Sequence, residues 1–274
     1  MLTNLKIVLM LAGAAVCGHA QWVNYPTPGI PRTPAGKANL SAPAPRAADG
    51  TPDLSGLWQV EPTPLPELTR LFGDLSAFSV PGDDISQFSK YGVSVLADLK
   101  PEEQPLRPEA VAILRQRAGK DNPTTKCLPA GLPFRFLIPF PLKVVQTAGL
   151  IMIVDDEGFR QIYTDGRKPP ADPQPLWLGY STGKWEDGTL VVDTVGFNDK
   201  TWLDAIGHPH SDALHMVERF RRRDFGHLDV EVTMDDPKMY TRPFTIKFTE
   251  RLVPDSDVLE YVCEENEKDV QHLK

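Results

Sequence analysis

The sequence predicts a mainly β protein in which short antiparallel strands form a barrel or a sandwich. From Lys143 onward the chain is a succession of short β-prone segments at near-regular spacing, and several of them alternate apolar and polar residues. The 27 prolines require many loops, which favours short strands over a helical bundle. An Asp-Gly pair at 187–188 lies between two such segments, as in a tight hairpin. These three observations indicate an antiparallel all-β fold.

The first twenty residues predict a secretory signal peptide that is cleaved after Ala20. Lys6 precedes an apolar run over 7–16, and the small residues Gly18 and Ala20 occupy the cleavage positions. The apolar run is too short to cross a bilayer, so we expect no integral membrane span. Cys17 raises a lipoprotein alternative, although Val16 is a poor residue directly before a lipidated cysteine. We therefore expect a periplasmic or secreted protein.

Composition divides the rest of the chain into two parts. Residues 21–52 are rich in Pro, Ala and Gly, which predicts an extended linker or a strap over the domain surface. Residues 53–274 predict a single β-barrel-like domain that includes a helix at about 108–120, since Pro108 marks a helix start. The formal charge of −8 and the pI near 5.3 argue against nucleic acid as a partner. The oligomeric state stays open.

Signal-peptide cleavage would remove Cys17 and leave two cysteines, Cys127 and Cys263. A cysteine pair in an exported chain predicts one disulfide, here between the middle of the chain and its C-terminal part. The alternative is two unpaired buried thiols. The chain contains no Cys-x-x-Cys motif for zinc or redox chemistry.

Two predicted strands carry the charged residues that matter most for function. On the strand after the hairpin turn, Asp193 shares a face with two valines, and that face lies either inside the barrel or on its solvated exterior. A strand over 213–222 follows a loop that contains His208 and His210. Side chains alternate along this strand and give it two faces. One face carries His215, Val217, Arg219 and Arg221, and the other carries Leu214, Met216, Glu218 and Phe220. Further strands follow at 227–234 and 244–253, and the segment VLEYVCEEN closes the series.

The start of the first predicted strand favours a barrel over a sandwich. Gly56-Leu57-Trp58 resembles the Gly-x-Trp of lipocalin and wider calycin barrels, in which the tryptophan plugs the closed end. The predicted fold class is therefore mainly β, an antiparallel lipocalin-like (calycin-type) β-barrel with a short helical N-terminal segment.

Four longer motifs resemble a group of exported bacterial proteins usually described as hypothetical. The motifs are FRQIYTDGRKPP, GKWEDGTLVVDTVGFND, GHPHSDALHMVERFRR and EYVCEENEKD. The resemblance covers most of the chain after Pro52, and one departure is Trp-Glu-Asp-Gly at 185–188, where the family often has Trp-Glu-Gly-Asp. That family is similar to calycin-type barrels and has no settled reaction. The resemblance therefore implies fold and export, not an activity.

The histidines superficially resemble the cupin metal pattern. His208, His210 and His215, with Glu218 beyond them, offer imidazole and carboxylate ligands that suit Zn²⁺, Fe²⁺ or Mn²⁺. Strand alternation, however, sends His215 and Glu218 to opposite faces. We therefore predict no metal and no cofactor, and name the three histidines as the ligands if a metal binds.

General acid–base chemistry is the favoured alternative to metal chemistry. Histidine is a common general acid or base, which makes His210 and His215 candidates, and an aspartate such as Asp193 can fix the tautomer of a histidine. The other candidate aspartates are Asp165 and Asp212. We predict His210, His215 and Asp193 as catalytic residues. The competing interpretation is a structural polar network or a solvated face.

Substrate binding is assigned to a second group of residues. Arg160, Tyr163 and Arg167 could donate hydrogen bonds to a carboxylate or a developing oxyanion, and Arg219 and Trp185 complete the predicted set. An apolar barrel interior with a few such groups would suit an aromatic or hydrophobic molecule.

The sequence thus predicts an exported barrel that binds a small hydrophobic or aromatic molecule. It contains no Gly-x-Ser-x-Gly elbow, P-loop or Gly-x-Gly-x-x-Gly motif. The leading hypothesis is a cofactor-independent lyase or isomerase that uses His/Asp acid–base catalysis. The alternatives are a non-catalytic carrier or sensor and, second, a His-ligated metalloenzyme.

Overall fold

A closed ring of strands forms the body of the protein. The structure, a computed structural model, describes residues 26–74, 85–117, 122–155, 157–258 and 262–263. Nine strands within these ranges close into a barrel in chain order. They are β1 (Gly56–Val60), β2 (Leu142–Thr147), β3 (Leu150–Asp155), β4 (Gly158–Tyr163), β5 (Tyr180–Glu186), β6 (Thr189–Val195), β7 (His215–Arg222), β8 (His227–Asp235) and β9 (Phe244–Leu252).

One neighbouring pair in this ring is parallel, so the prediction of a wholly antiparallel barrel is wrong. β4 and β5 run in the same direction and share two residue pairs, Ile162 with Ser181 and Tyr163 with Thr182. The reason is the strand number. Strand direction reverses at every antiparallel contact, and an odd number of reversals cannot return a closed ring to its starting direction. Because parallel neighbours need a long connection, the chain runs through 164–179 before it enters β5.

The two faces predicted for β7 are the inner and outer walls of the barrel. Met216, Glu218 and Phe220 are buried in the interior, whereas His215 and Arg219 lie on the outside. β8 follows the same alternation, and its inward residues are Leu228, Val230, Val232 and Met234. Period-two alternation therefore builds the core here, as the sequence indicated.

Trp58 is fully buried near one end of the barrel, beside Arg222 at the end of β7. Its indole N–H donates to the Leu54 carbonyl at 2.9 Å. The Arg222 guanidinium lies 4.8 Å from the indole ring and donates to the carbonyls of Asp53, Ser55 and Phe225. Burial without a hydrogen-bonded carboxylate lowers the pKa of Arg222 to about 10.

The segment assigned to a linker runs over this end of the barrel. The amide of Gly226 donates to the Leu40 carbonyl at 2.7 Å, and that of Phe225 donates to the Ala42 carbonyl at 2.8 Å. Arg32 forms an ion pair with Asp255. Residues 26–52 are thus attached to the barrel as a strap. The predicted signal peptide, residues 1–20, lies outside the described residues.

The described helices are short and lie between β1 and β2 in the chain. They are α1 (Leu65–Phe72), α2 (Lys90–Val93), α3 (Pro108–Arg117) and α4 (Phe134–Leu137), with 3₁₀ turns at Ile85–Gln87, Pro101–Glu103 and Pro123–Lys126. The helix expected at about 108–120 is α3, and residues 118–120 lie outside the described ranges. None of the helices in the described part is long and apolar enough to cross a membrane.

A disulfide joins Cys127 to Cys263, the pair expected from the sequence, with 5.7 Å between their Cα atoms. It ties the loop before α4 to the C-terminal segment. No strand is assigned to the described residues of the final predicted segment (258, 262 and 263), and its other residues lie outside the described ranges.

Candidate functional site

A cleft opens in the barrel wall beside the parallel pair of strands. Because β4 and β5 pair only through Ile162 and Tyr163, the first part of β4 separates from the chain that leads into β5. The cleft between them has a volume of about 320 Å³. Its apolar and aromatic lining is Pro129, Phe159, Tyr163, Leu176, Trp177, Leu178 and Tyr180, and its polar lining is Arg135, Glu157, Arg160, Gln161 and Ser181, with Gly179 between the two groups. We call it the β4–β5 cleft.

Aromatic side chains form the outer part of the β4–β5 cleft. Tyr163 and Tyr180 are stacked, with 5.4 Å between ring centroids and 27° between planes. The Arg167 guanidinium lies 3.9 Å from the Tyr163 centroid on the solvent side. Phe159 and Leu176 are 58% and 44% exposed, which is unusual for such large apolar residues. The outer part of the cleft is therefore an accessible apolar surface.

The floor of the cleft is a buried polar network inside the barrel. The Arg160 guanidinium forms two hydrogen bonds with the Glu218 carboxylate, and its Nη1–Oε1 distance is 2.9 Å. It also donates to Ser181 Oγ at 3.0 Å and to Thr194 Oγ1 at 3.0 Å. All four side chains are buried, because alternation turns each of them inward from its own strand.

A second ion pair lies beside the first. Arg135 of α4 contacts the Asp155 carboxylate through two nitrogens, and both residues are buried. Glu157 accepts a hydrogen bond from the Ala130 amide at 2.8 Å and lies 4.0 Å from the Arg135 guanidinium. The segment around Ala130 follows Cys127, so the disulfide anchors the chain that borders the cleft.

Gly179 permits the tight approach of the chain to β6 at the inner edge of the cleft. Its φ is +65°, and a Cβ atom there would lie 2.7 Å from Thr194 Cγ2 and 2.9 Å from the Val195 carbonyl oxygen. A larger residue would therefore be strained in its backbone and would collide with β6.

The predicted dyad of His215 and Asp193 exists, but on the outside of the barrel. His215 Nε2 lies 3.0 Å from Asp193 Oδ2, and the two side chains are 43% and 48% exposed. Asp193 pairs across the sheet with Thr182, which pairs with Tyr163 of the cleft. The dyad is thus on the same outer face as the aromatic part of the cleft. Asp193 is two strands away from Tyr163, and His215 is on the next strand.

His210 does not join that dyad and lies buried in the loop before β7. Its Nδ1 lies 3.2 Å from the Ser211 carbonyl, which can only accept, so Nδ1 carries the proton. Its Nε2 then accepts from the Thr201 hydroxyl at 2.7 Å. Burial lowers the pKa of His210 and keeps the ring neutral. Both ring nitrogens thus hold the loop together, which differs from the predicted catalytic role.

The three candidate metal ligands have separate partners. His208 bonds to the buried Asp204, with 2.5 Å between Nδ1 and Oδ2, while His210 and His215 bond to Thr201 and Asp193. Glu218 points into the barrel, from the face of β7 opposite to that of His215. Within the described part of the chain, no three His, Cys, Asp or Glu side chains are arranged to hold a metal ion.

Several other predicted roles change with the geometry. Trp185 packs against the core, and Arg219 lies on the outer wall 3.6 Å from Glu186, so neither lines the β4–β5 cleft. Asp165 and Asp212, the other aspartates considered for histidine, pair with Arg167 and Lys238 instead. Strand alternation predicts the face on which a residue lies but not its position along the barrel, so it could not place these residues relative to the cleft.

The sequence did not single out the residues that give the cleft its apolar character. Phe159, Leu176, Trp177 and Tyr180 lie at the start of β4 or in and just after the long connection. The available signal was Leu-Trp-Leu within a proline-rich segment, where a loop on the surface would be expected to be polar.

Glu250 is a second residue that the sequence did not single out. It is fully buried on the inner wall, and among the described residues neither of its carboxyl oxygens has a hydrogen-bond partner. It borders a cavity of about 20 Å³ in the barrel interior, otherwise lined by apolar residues such as Phe136 and Phe220. That volume is enough for a water molecule, whereas an aromatic ring needs a cavity on the order of 150 Å³. Because this cavity is too small for such a ring, the candidate site lies in the wall instead.

Comparison with known proteins finds no matching protein-family model, no matching curated protein and no matching solved structure.

Proposed function

We propose that the protein binds a small aromatic or hydrophobic molecule in the β4–β5 cleft. The observation that carries the proposal is the cleft itself, where exposed Phe159 and Leu176 stand above the buried Arg160. Ligand sites are typically concave and mostly apolar, with a few fixed polar groups that set orientation. A volume of about 320 Å³ matches the lower end of such sites.

The stacked tyrosines supply the recognition element. A flat ring can extend the stack of Tyr163 and Tyr180 or meet Phe159 edge to face, and such aromatic contacts add about 0.5–1.5 kcal/mol each beyond area burial. The polar groups at the floor are held by their own hydrogen bonds, so they require no rearrangement when a ligand arrives.

We also propose that the protein is exported and that its barrel is of the lipocalin-like (calycin) type. The signal-peptide pattern before Gln21 and a disulfide, which persists in oxidising compartments, support export. Burial of Trp58 at the barrel end, beneath the Arg222 guanidinium, supports the barrel type. The resemblance to exported bacterial proteins is part of the same proposal.

A second candidate function is cofactor-independent lyase or isomerase chemistry at the His215–Asp193 dyad. The 3.0 Å contact and the exposure of both side chains favour it, because a proton carrier must reach its substrate. A non-catalytic carrier or sensor needs the cleft but not the dyad. The metalloenzyme alternative has the least support, since the three histidines bond to three different partners.

Equilibrium binding tests the main proposal. A panel of small aromatic molecules is titrated by calorimetry into the wild type and into Phe159→Ala and Leu176→Asp. Binding should weaken at least severalfold in both variants, because each removes apolar surface from the cleft. Phe140→Ala is the matched control, since Phe140 is another exposed apolar residue that does not line the cleft. Equal loss in the control, or no binding to the wild type, refutes the proposal.

Solvent deuterium exchange tests the second candidate. An enzyme that moves a proton at carbon transfers deuterium from D₂O into a bound aromatic substrate, and His215→Gln should abolish that transfer. His227→Gln is the control, because His227 is paired with Asp224 at 2.7 Å on another part of the barrel. Exchange that survives in His215→Gln excludes the dyad, and absence of exchange in the wild type favours the carrier or sensor.

A further inference from the structure

We infer that the β4–β5 cleft selects an uncharged aromatic molecule and rejects both anions and cations of similar shape. The inference rests on the proposed binding function and narrows its ligand class. It also replaces the expectation that Arg160 and Arg167 receive a carboxylate from the ligand.

Each guanidinium at the cleft is bonded to a carboxylate of the protein itself. Arg160 is bonded to Glu218 and Arg135 to Asp155, and both pairs are buried. Arg167, at the rim, donates to Asp165 through Nε at 2.9 Å and through Nη2 at 2.5 Å. A carboxylate on the ligand would have to compete with these protein carboxylates for the guanidinium groups. Its binding would therefore not be favoured by an unneutralised positive charge.

The groups that touch the cleft oppose both signs of charge. Glu157 lines it and would repel an anion, while Arg135 and Arg160 line it with donor groups only and cannot accept the hydrogen bonds that an ammonium group must donate. Their carboxylate partners Asp155 and Glu218 lie behind them and do not line the cleft. Any charged ligand must also give up hydration as it enters an apolar-walled site, and this cost is not recovered without a partner. An uncharged ring avoids that cost and keeps the aromatic contacts.

Three naphthalene probes of one shape separate the possibilities at pH 7. They are 2-naphthol, which is neutral, 2-naphthoate, which is an anion, and 2-naphthylmethylammonium, which is a cation. Naphthol should bind at least about tenfold more tightly than either ion, which corresponds to about 1.4 kcal/mol. Naphthoate or the ammonium binding as tightly as naphthol would overturn the inference.

A gain-of-affinity variant tests the charge pairing without disturbing the core. Asp165→Asn removes the rim carboxylate, which is 37% exposed, and leaves Arg167 with a positive charge over Tyr163. The affinity for naphthoate should rise severalfold while that for naphthol stays the same. Asp212→Asn is the control, because it breaks a similar exposed pair with Lys238 that is not part of the cleft. Unchanged naphthoate affinity in Asp165→Asn contradicts the pairing.

The outcomes for the inference and for the proposed function are distinct. If none of the three probes binds, the binding function and the inference fail together. If naphthoate binds best and Phe159→Ala weakens it, the cleft is a binding site but the selection for uncharged molecules is wrong.

Discussion

Arg160 of β4 and Glu218 of β7 form a two-contact ion pair inside the barrel, where their side chains are 3% and 0% exposed. The strands that carry them are separated in the ring by β5 and β6, which contribute Ser181 and Thr194 to the same network. Four strands are thus connected by polar groups within a largely apolar core.

Removal of one partner of this pair should be costly. Arg160→Met leaves the Glu218 carboxylate buried without its cation, which should lower the free energy of unfolding by about 3–5 kcal/mol. Arg160→Met/Glu218→Leu should recover most of that loss, because the double variant buries no unpaired charge. Urea unfolding of the two variants measures both values.

An exposed pair provides the comparison for that experiment. Lys184 and Glu186 are 2.6 Å apart on the outer wall, and Lys184→Met should change stability by less than about 1 kcal/mol. A loss of similar size in Lys184→Met and Arg160→Met would show that burial is not the cause.

Glu250 should make the protein less stable as pH rises. Burial in an apolar setting, with Glu61 nearby, raises the pKa of Glu250 well above its ordinary value. The folded state therefore holds this proton more tightly than the unfolded chain. The stabilisation is complete below about pH 4.5 and is lost as pH rises through the folded-state pKa.

Glu250→Leu should remove this dependence and stabilise the protein by about 1–3 kcal/mol at pH 7, since it eliminates two unsatisfied buried oxygens. Unfolding curves of the variant and the wild type at pH 4.5 and pH 8 provide the test. If the difference in unfolding free energy between the variant and the wild type did not increase from pH 4.5 to pH 8, the burial of Glu250 would be contradicted.

His210 should make the protein less stable as pH falls, which is the opposite of the effect expected for Glu250. Burial lowers its pKa, so the unfolded chain takes up a proton that the folded state refuses. The neutral ring's contribution is therefore present above about pH 6.5 and is lost as pH falls toward the folded-state value. A titration of the histidine ring by NMR should show a signal that stays neutral at pH 6, and His210→Gln should flatten the acid side of the stability profile.

Loss of the disulfide should destabilise the fold, because it closes a long loop in the unfolded chain. Cys127 and Cys263 are 136 residues apart, and their replacement by serine should cost about 2–5 kcal/mol. Thermal unfolding with and without reductant is the measurement. An unchanged midpoint under reduction would show that the C-terminal segment contributes little to the barrel.

Local sequence pattern and the general chemistry of the side chains allow some features to be predicted from the sequence. The two faces of β7 follow from the alternation of Met216 and Glu218 with His215 and Arg219, since a strand has a period of two. The disulfide partners follow from the cysteine count once Cys17 is assigned to the predicted signal peptide. Such features depend on residues that are close in the sequence or on the number of cysteines.

Other features depend on closure of the ring, which no local pattern encodes. The parallel direction of β4 against β5 follows from the odd number of strands in the closed ring, which is a property of the whole chain. His215 lies on the outer wall and His210 in a buried loop, although the two residues are only five positions apart in the sequence. Glu250 was missed because its inward position continues the row of Phe244, Ile246 and Phe248, where a charged residue is least expected.

The parallel strand pair ties the opening in the barrel wall to the number of strands, because a closed ring of nine strands needs at least one parallel contact. A homologue that gained or lost a single strand could close with antiparallel contacts alone, and the opening in its wall would have no reason to exist. Within a nine-stranded ring, however, the connection over 164–179 contributes Leu176, Trp177, Leu178 and Gly179 to the lining, and of these Leu178 packs against the core whereas Leu176 is exposed. The proposed ligand preference can therefore change by substitution at exposed positions of that segment such as Leu176, while the strands maintain the stability of the barrel.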